Sequence, residues 1–486
     1  FRGSYRWHAR CRNFRIPRPN STESRWYGRS NSILISDKFY LQVGHTRIAL
    51  NFMQSHQQYI SDHIETFQSE LFEFLRIPSI STSPEHFEQM REAAFWLKAK
   101  MLDSGLQASI HQTPGHPIVL GEWKQAGANA PTVLVYGHYD VQPPEPLDLW
   151  NSPPFEPEIR DGCLYARGSS DDKGQLYLHL KAAEAFLRGS GNLPINLILL
   201  IEGEEEVGSP NLLPFIEDQK DLLSCDIALI SDTGMMAPDL PSILCSLRGL
   251  AYFDIEVIGP SSDLHSGVYG GPVVNPALAL AQILASLQDS KGRITIDKFY
   301  DDILDWTPQA KDQLQKLPFD HKAFRKSINV EPCGGEEEFT ILERLWTRPT
   351  CEVNGLLSGY TGDGAKTVLP SKAHAKISFR LVSNQTPERT EELFRRHVEK
   401  VTPKGVQVRI EHLHGGMPWQ AQLNDKLKSA VDTAVMKIFE KETVIAGEGG
   451  SIPIVRDIET VLDSPVLLLG FSHPGCNLHA PNEWFP

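Results

Sequence analysis

Residues 133–143 (VLVYGHYDVQP) and 164–174 (LYARGSSDDKG) decide how the rest of the chain is read. Val133 to Tyr136 is an apolar run of mostly β-forming residues that Gly137 interrupts, which predicts a strand. His138 and Asp140 follow at once and, being alternate, can share one face. Asp171 and Asp172 come about thirty residues later, at the entry to a predicted helix that Lys173 and Gly174 open. One imidazole and three carboxylates therefore fall at the edges of α/β elements, where open sheets carry ligand sites. Imidazole and carboxylate are also the donors that Zn2+ and similar ions accept. Loop polars and helix caps would explain His138 alone. They do not explain the acidic groups that recur downstream.

Those groups come after other predicted strands. Glu204, Glu205 and Glu206 follow the apolar run Ile195–Ile201, and Asp232 follows Ile227–Ile230. A late His479 completes the candidate set. Three neighbouring Glu at a strand end are costly unless cations offset them, and two divalent ions would do so. Within 204–206 one carboxylate can serve as a ligand and another as a base.

Working outward, helical spacing predicts a helix from Met53 with Ile60, Ile64, Phe67, Leu71, Phe74 and Leu75 inward. A second helix, 87–104, would bury Ala93, Phe95, Leu97 and Leu102, and a third, 174–188, would bury Leu176, Leu180 and Ala183. With strands at 108–111, 118–123, 133–136 and 195–201, the alternation predicts an α/β domain around a largely parallel sheet flanked by helices. Beyond Ser246 the texture changes. Leu250–Ile258 alternates like a half-buried strand, and further strands (367–368, 374–382, 406–412) are interleaved with helices at 276–287 and 387–401. This predicts an inserted α+β sandwich, with 289–350 as loops and helices. The expected organisation is an N-terminal extension (1–52), a first catalytic part (53–245), the inserted domain (246–412) and a second catalytic part (413–486) that ends short of a covering helix.

Charge and cysteines bound the partners. The chain is net −14. Residues 1–52 carry ten Lys/Arg against only Glu23 and Asp37, so the body is more acidic still. That excludes nucleic acid or an anionic membrane as the main partner. No apolar run reaches the ~18 residues of a membrane span. The Arg- and Ser-rich extension fits a transit peptide or sequence upstream of a start at Met53; the second reading, with a cytoplasmic protein, is preferred. Seven scattered cysteines without a C-x-x-C pair predict free thiols in a reducing compartment.

Nine motifs then occur in order: GHYDVQP (137–143), ARGSSDDKG (166–174), EGEEEVGS (202–209), ISDTG (230–234), DLHSGVYGG (263–271), GAKTVLP (364–370), ISFRLV (377–382), EGGSIP (448–453) and LHAPNE (478–483). Together they resemble the carnosinase-type dipeptidase branch of the aminoacylase/carboxypeptidase G/acetylornithine deacetylase family of di-zinc metallopeptidases, from about Met53 to the end. The resemblance implies a zinc-exopeptidase-like catalytic domain with an inserted dimerisation (lid) domain. It implies two Zn2+ per chain, with Mn2+ or Co2+ as alternatives, held by His138, Asp171, Glu206, Asp232 and His479, with Asp171 bridging. It makes Glu205 the general base for a hydroxide shared by the metals, although Glu204 stands where the family often has a neutral residue. Asp140 orients His138, and the peptide after Asp171 is cis. His265 reaches the active site of a second subunit in a homodimer and stabilises the oxyanion. Arg380 grips the substrate carboxylate, and Thr367, Ser451 and Gly450 contact the substrate backbone. The implied activity is hydrolysis of dipeptides with a free C-terminal carboxylate. The rivals are an N-acyl-amino-acid deacylase or carboxypeptidase of the same family and, from another class, a non-catalytic binding protein.

Overall fold

The computed structural model describes residues 46–486 apart from 305, 422 and 451. The readings of residues 1–45 and of Ser451 lie outside the described residues. The described residues divide into two compact units: those up to 215 with 221–226 and 471–486, and 216–220 with 227–470.

In the first unit the sheet runs Gln107–His111, Ile118–Trp123, Asn196–Glu202, Thr132–His138. The outer pairings are antiparallel, and Asn196–Glu202 is parallel to Thr132–His138. Asn196–Glu202 is buried along its whole length, as its unbroken apolar run requires of a strand covered on both faces. The register pairs His138 with Glu202. Both strands therefore finish at the same edge, and His138 comes out beside the turn that carries Glu204–Glu206.

Three long helices flank this sheet. Thr46–Leu75 begins earlier than the predicted start at Met53 and buries Phe67, Leu71, Phe74 and Leu75. Phe87–Asp103 buries Met90, Ala93, Ala94, Leu97 and Met101. Lys173–Glu184 packs on Leu176, Leu180 and Ala183 and continues as a π-helical turn, Ala185–Ser190. Ile64, Phe95 and Leu102 are exposed, contrary to the predicted inward faces. In Phe87–Asp103 it is Met90, Ala94 and Met101, rotated on the wheel, that take core positions. A small sheet, Trp484–Phe485 on Cys163–Tyr165 on Glu158–Arg160, holds the C-terminal segment. Cys245, Cys333, Cys351 and Cys476 are free.

The second unit contains a mixed sheet and a sandwich. Ile227–Ile230 lies parallel to Val466–Leu468, and Ser242–Leu247 lies parallel to Val444–Glu448. The sandwich sheet is antiparallel throughout, in the order Thr350–Ser358, Lys372–Leu381, Gly249–Ile258, Gln407–Gly416. Gly249–Ile258 alternates strictly between buried and half-buried positions, as its period of two predicted. Its buried face meets the helices Pro276–Ala285 and Pro387–Val401 through Phe253, Phe379, Leu393, Phe394 and Leu280. The latter helix starts cleanly: the Thr386 side chain accepts from Arg389 N–H, and Pro387 stands in the first turn. The fold class expected from the sequence, a mixed and largely parallel sheet flanked by helices with a separate α+β sandwich, is the one found.

Candidate active site

The site is assembled in the first unit from three pieces of chain that meet at the acidic turn Glu205–Val207. His138 ends its strand fully buried, and its Nε2 lies 3.0 Å from Asp171 Oδ1. Its Nδ1 lies 3.1 Å from the Asp140 carbonyl oxygen and 3.3 Å from Asp140 Oδ1. The Asp140 carboxylate, itself 0% exposed, accepts the backbone N–H of Glu205 (3.3 Å) and Glu206 (3.1 Å). One buried carboxylate thus aims an imidazole and fixes the start of the acidic turn, Glu205–Val207.

Asp171 ends a loop that turns directly into the helix Lys173–Glu184. The Asp171–Asp172 peptide is cis. Asp172 accepts the His138 backbone N–H at 3.3 Å. The turn is tight enough that a Cβ on Gly174 would lie 1.9 Å from the Ser169 carbonyl oxygen, so only glycine fits.

The third piece is the segment 471–486. His479 Nε2 lies 2.8 Å from Asp171 Oδ2 and 3.4 Å from Glu206 Oε2. His479 has a left-handed backbone, φ +57°, which for a non-glycine residue costs on the order of 1 kcal/mol. The turn is held by Ala480 N–H donating to Asn477 O at 3.0 Å and Trp484 N–H donating to Cys476 O at 3.0 Å.

Charge is unevenly shared here. Burial alone would raise the Asp171 pKa, but hydrogen bonds from His138 and His479 overcome it and hold this carboxyl well below the usual range. The bond to Asp171 lifts His479 to about 8. Burial, and then the neighbouring Asp171 charge, push Glu206 up to about 7. Gln142 Nε2 donates to Glu206 Oε2 at 2.7 Å, while Glu206 Oε1 is buried with no hydrogen-bond partner. Asp171, Glu206 and His479 each offer a ligand atom, all within 4.8 Å of one another. Two crowded carboxylates, an orphaned oxygen and an imidazole edge fit a divalent cation in both charge and donor type.

The other predicted site residues fall as follows. Glu204 is buried and accepts from Asn211 Nδ2 at 2.8 Å. Asp232 lies just beyond Ile227–Ile230, in the second unit. In that unit His265 is exposed and pairs with Val368 in a short two-stranded antiparallel sheet, which brings it next to Thr367: Ser266 N–H donates to Thr367 O at 3.1 Å. Arg380 is half-buried on Lys372–Leu381, opposite Leu250, and burial lowers its pKa. The Gly450 carbonyl accepts Arg248 N–H at 3.1 Å. Sequence reasoning assigned no role to Glu483, Arg167, Gln142 or Asp172. The signal for Glu483 was present, an acid inside the LHAPNE motif, but nothing local showed what it contacts.

With this geometry in view, comparisons place the protein. The profile of peptidase family M20/M25/M40 matches residues 134–486. The chain belongs to that family. It is 31% identical over 444 residues to human Beta-Ala-His dipeptidase, covering 88% of this chain and 87% of that one. It is 31% identical over 435 residues to the Cys-Gly metallodipeptidase dug1 of Schizosaccharomyces pombe, covering 86% and 91%. Two solved structures, dipeptidase Dug1p of Saccharomyces cerevisiae and human carnosine dipeptidase 1, each superimpose with a TM-score of 0.76 at 29% identity, covering 89% of this chain and 94% of theirs. The carnosinase-type branch expected from the motifs is therefore the right one. The protein is a metallopeptidase, a hydrolase acting on peptide bonds, and M20 enzymes depend on divalent metals. Among the described residues no helix is long and apolar enough to cross a membrane.

Proposed function

We propose that this protein is a dipeptidase that hydrolyses dipeptides bearing a free C-terminal carboxylate, with two divalent ions, zinc first and manganese or cobalt as alternatives. One observation carries the reading: a buried Asp171 lies between two imidazoles, 3.0 Å from His138 and 2.8 Å from His479, with Glu206 beside it. His138 and Asp232 would hold one ion, His479 and Glu206 the other, and Asp171 both. Bound there, such ions supply Lewis-acid polarisation of a carbonyl and lower the pKa of water toward ~7.

The chain's own groups do the rest. Glu205 takes the proton of the attacking water and delivers it to the leaving amine. Asp140 keeps His138 aimed and Glu205 anchored. Arg380 holds the substrate carboxylate with its planar guanidinium, while Thr367, Gly450 and Ser451 line the substrate backbone. Residues 246–412 act as lid and dimerisation domain between the catalytic parts 53–245 and 413–486. His265 serves the site of a second copy of the chain; its exposure, with that of Val268 and Tyr269, supports this reading. We place the homodimer in the cytoplasm.

The test is metal analysis combined with a substrate panel. The expected result is two divalent ions per chain and turnover of free dipeptides, with little turnover of C-terminally amidated dipeptides or N-acyl amino acids. Preferential cleavage of N-acyl amino acids would replace the dipeptidase reading with a deacylase. Full activity from a protein that light scattering shows to be monomeric would remove His265 from the mechanism.

A further inference from the structure

We propose that Glu483 is a positioning residue that sets the affinity of the cluster for divalent ions, by tying the Asp171 loop to the segment that carries His479. Its side chain is completely buried, a costly place for a carboxylate unless the charge is matched. Oε2 accepts from Arg167 Nη1 at 2.8 Å and from Gly168 N–H at 2.9 Å. Oε1 accepts from Ser170 N–H at 2.8 Å and from Asp171 N–H at 3.1 Å. Four donors, all within residues 167–171, thus converge on one side chain.

The contact links sites distant in sequence. Glu483 lies four positions after His479 on the same turn, whereas Asp171 is 308 residues earlier than His479. The 2.8 Å approach of His479 Nε2 to Asp171 Oδ2 depends on how these two segments are registered. Other contacts join them too: Ala166 N–H donates to Glu483 O at 3.2 Å, Ser170 Oγ to Trp484 O at 2.8 Å, and Trp484 pairs with Tyr165 in the small sheet. Those contacts hold the segments together. Of these contacts, the one to the Glu483 carboxylate grips the Asp171 backbone itself. Its loss should therefore spare the fold and loosen the ligand geometry. Partners of this kind behind metal ligands are typically worth 10–100-fold in metal affinity.

The inference rests on the metal-binding reading of the cluster, and its test reads metal affinity without using catalysis. Wild-type enzyme and Glu483→Gln are stripped with chelator and titrated with Zn2+ against a chromophoric competitor, with metal-free thermal unfolding run in parallel. The glutamine keeps one oxygen for two of the four donors and leaves Arg167 without its counter-charge. The expected result is a dissociation constant raised about 10–100-fold for the more weakly held ion. The double variant Arg167→Met/Glu483→Gln removes the buried pair together; it is expected to recover metal-free stability but not affinity. Phe394→Leu, in the sandwich core of the second unit, is expected to lower stability and leave affinity unchanged. Wild-type affinity in either Glu483 variant overturns the proposal, as does an equal loss of affinity in Phe394→Leu. Should Glu483→Gln not fold, the double variant decides. A wild-type protein that binds no divalent ion would instead overturn the metal reading itself.

Discussion

Replacing Asp140 with asparagine separates what this carboxylate does for the backbone from what it does for His138. Asp140 is fully buried and uses both oxygens: Oδ1 faces Glu205 N–H and His138 Nδ1, and Oδ2 faces Glu206 N–H. Asparagine has one oxygen, so whichever way the amide turns, its NH2 meets a donor. At least one backbone N–H at the start of the acidic turn loses its acceptor, at a cost of about 1–3 kcal/mol. The effect on His138 is smaller. Its Nδ1 also has the Asp140 backbone carbonyl at 3.1 Å, which the substitution leaves in place. The loss of metal affinity should therefore sit near the low end of the usual 10–100-fold range, about tenfold. Chemical denaturation of the metal-free protein reads the first number, and a competitive Zn2+ titration reads the second. An Asp140→Asn protein as stable as wild type would refute the claim that both oxygens are in use. Unchanged stability together with unchanged affinity would remove Asp140 from the site altogether.

Glu205→Gln should cost on the order of 10²–10⁴ in kcat while metal content stays at the wild-type level; surviving activity would pass the base role to another group, Glu204 first. Under the helix Thr46–Leu75, Glu70 accepts from Lys100 Nζ and Tyr177 Oη, each at 2.9 Å, and pairs with Lys181. Burial opposes ionisation of Glu70, but its hydrogen bonds from Lys181 and Lys100 prevail and hold its pKa below the ordinary 4.5. Its contribution to stability is therefore fully present above about pH 4.5 and lost as pH falls through the lower folded value. Glu70→Gln should destabilise by about 2–3 kcal/mol at neutral pH, below the 3–5 of a fully orphaned pair because Lys181 keeps Glu184. Its stability should also fall less steeply than wild type in acid; parallel acid limbs would contradict the assignment. Phe394→Ala, at a 0%-exposed site with its ring tilted against Phe253 and edge-on to Phe379, should cost about 3–5 kcal/mol by urea unfolding, and a cost under 1 kcal/mol would mean that the sandwich core can collapse around the gap.

What could be read from the sequence follows the range of the interactions involved. Strand 249–258 and helix 387–401 were legible because burial there repeats with the local period. The predicted faces failed at Ile64, Phe95 and Leu102, where apolar residues sit on the solvent side; in Phe87–Asp103 Met90, Ala94 and Met101 take core positions. Periodicity gives the helix but not its rotation when apolar residues occur all around it. His138, the acidic turn 204–206 and Asp232 could be found one by one, since each follows an apolar run and so lies at a strand end. That Asp171 stands between His138 and His479 could not be read that way, because it joins pieces 33 and 308 residues apart. Only the order of the motifs suggested it. Glu483 was harder still. Three of its four donors are backbone N–H groups of a loop more than 300 residues away, and a backbone N–H has no residue identity for a sequence pattern to carry. Side chains that coordinate leave a chemical trace in the sequence, whereas a side chain that holds another residue's backbone in place leaves only its own letter.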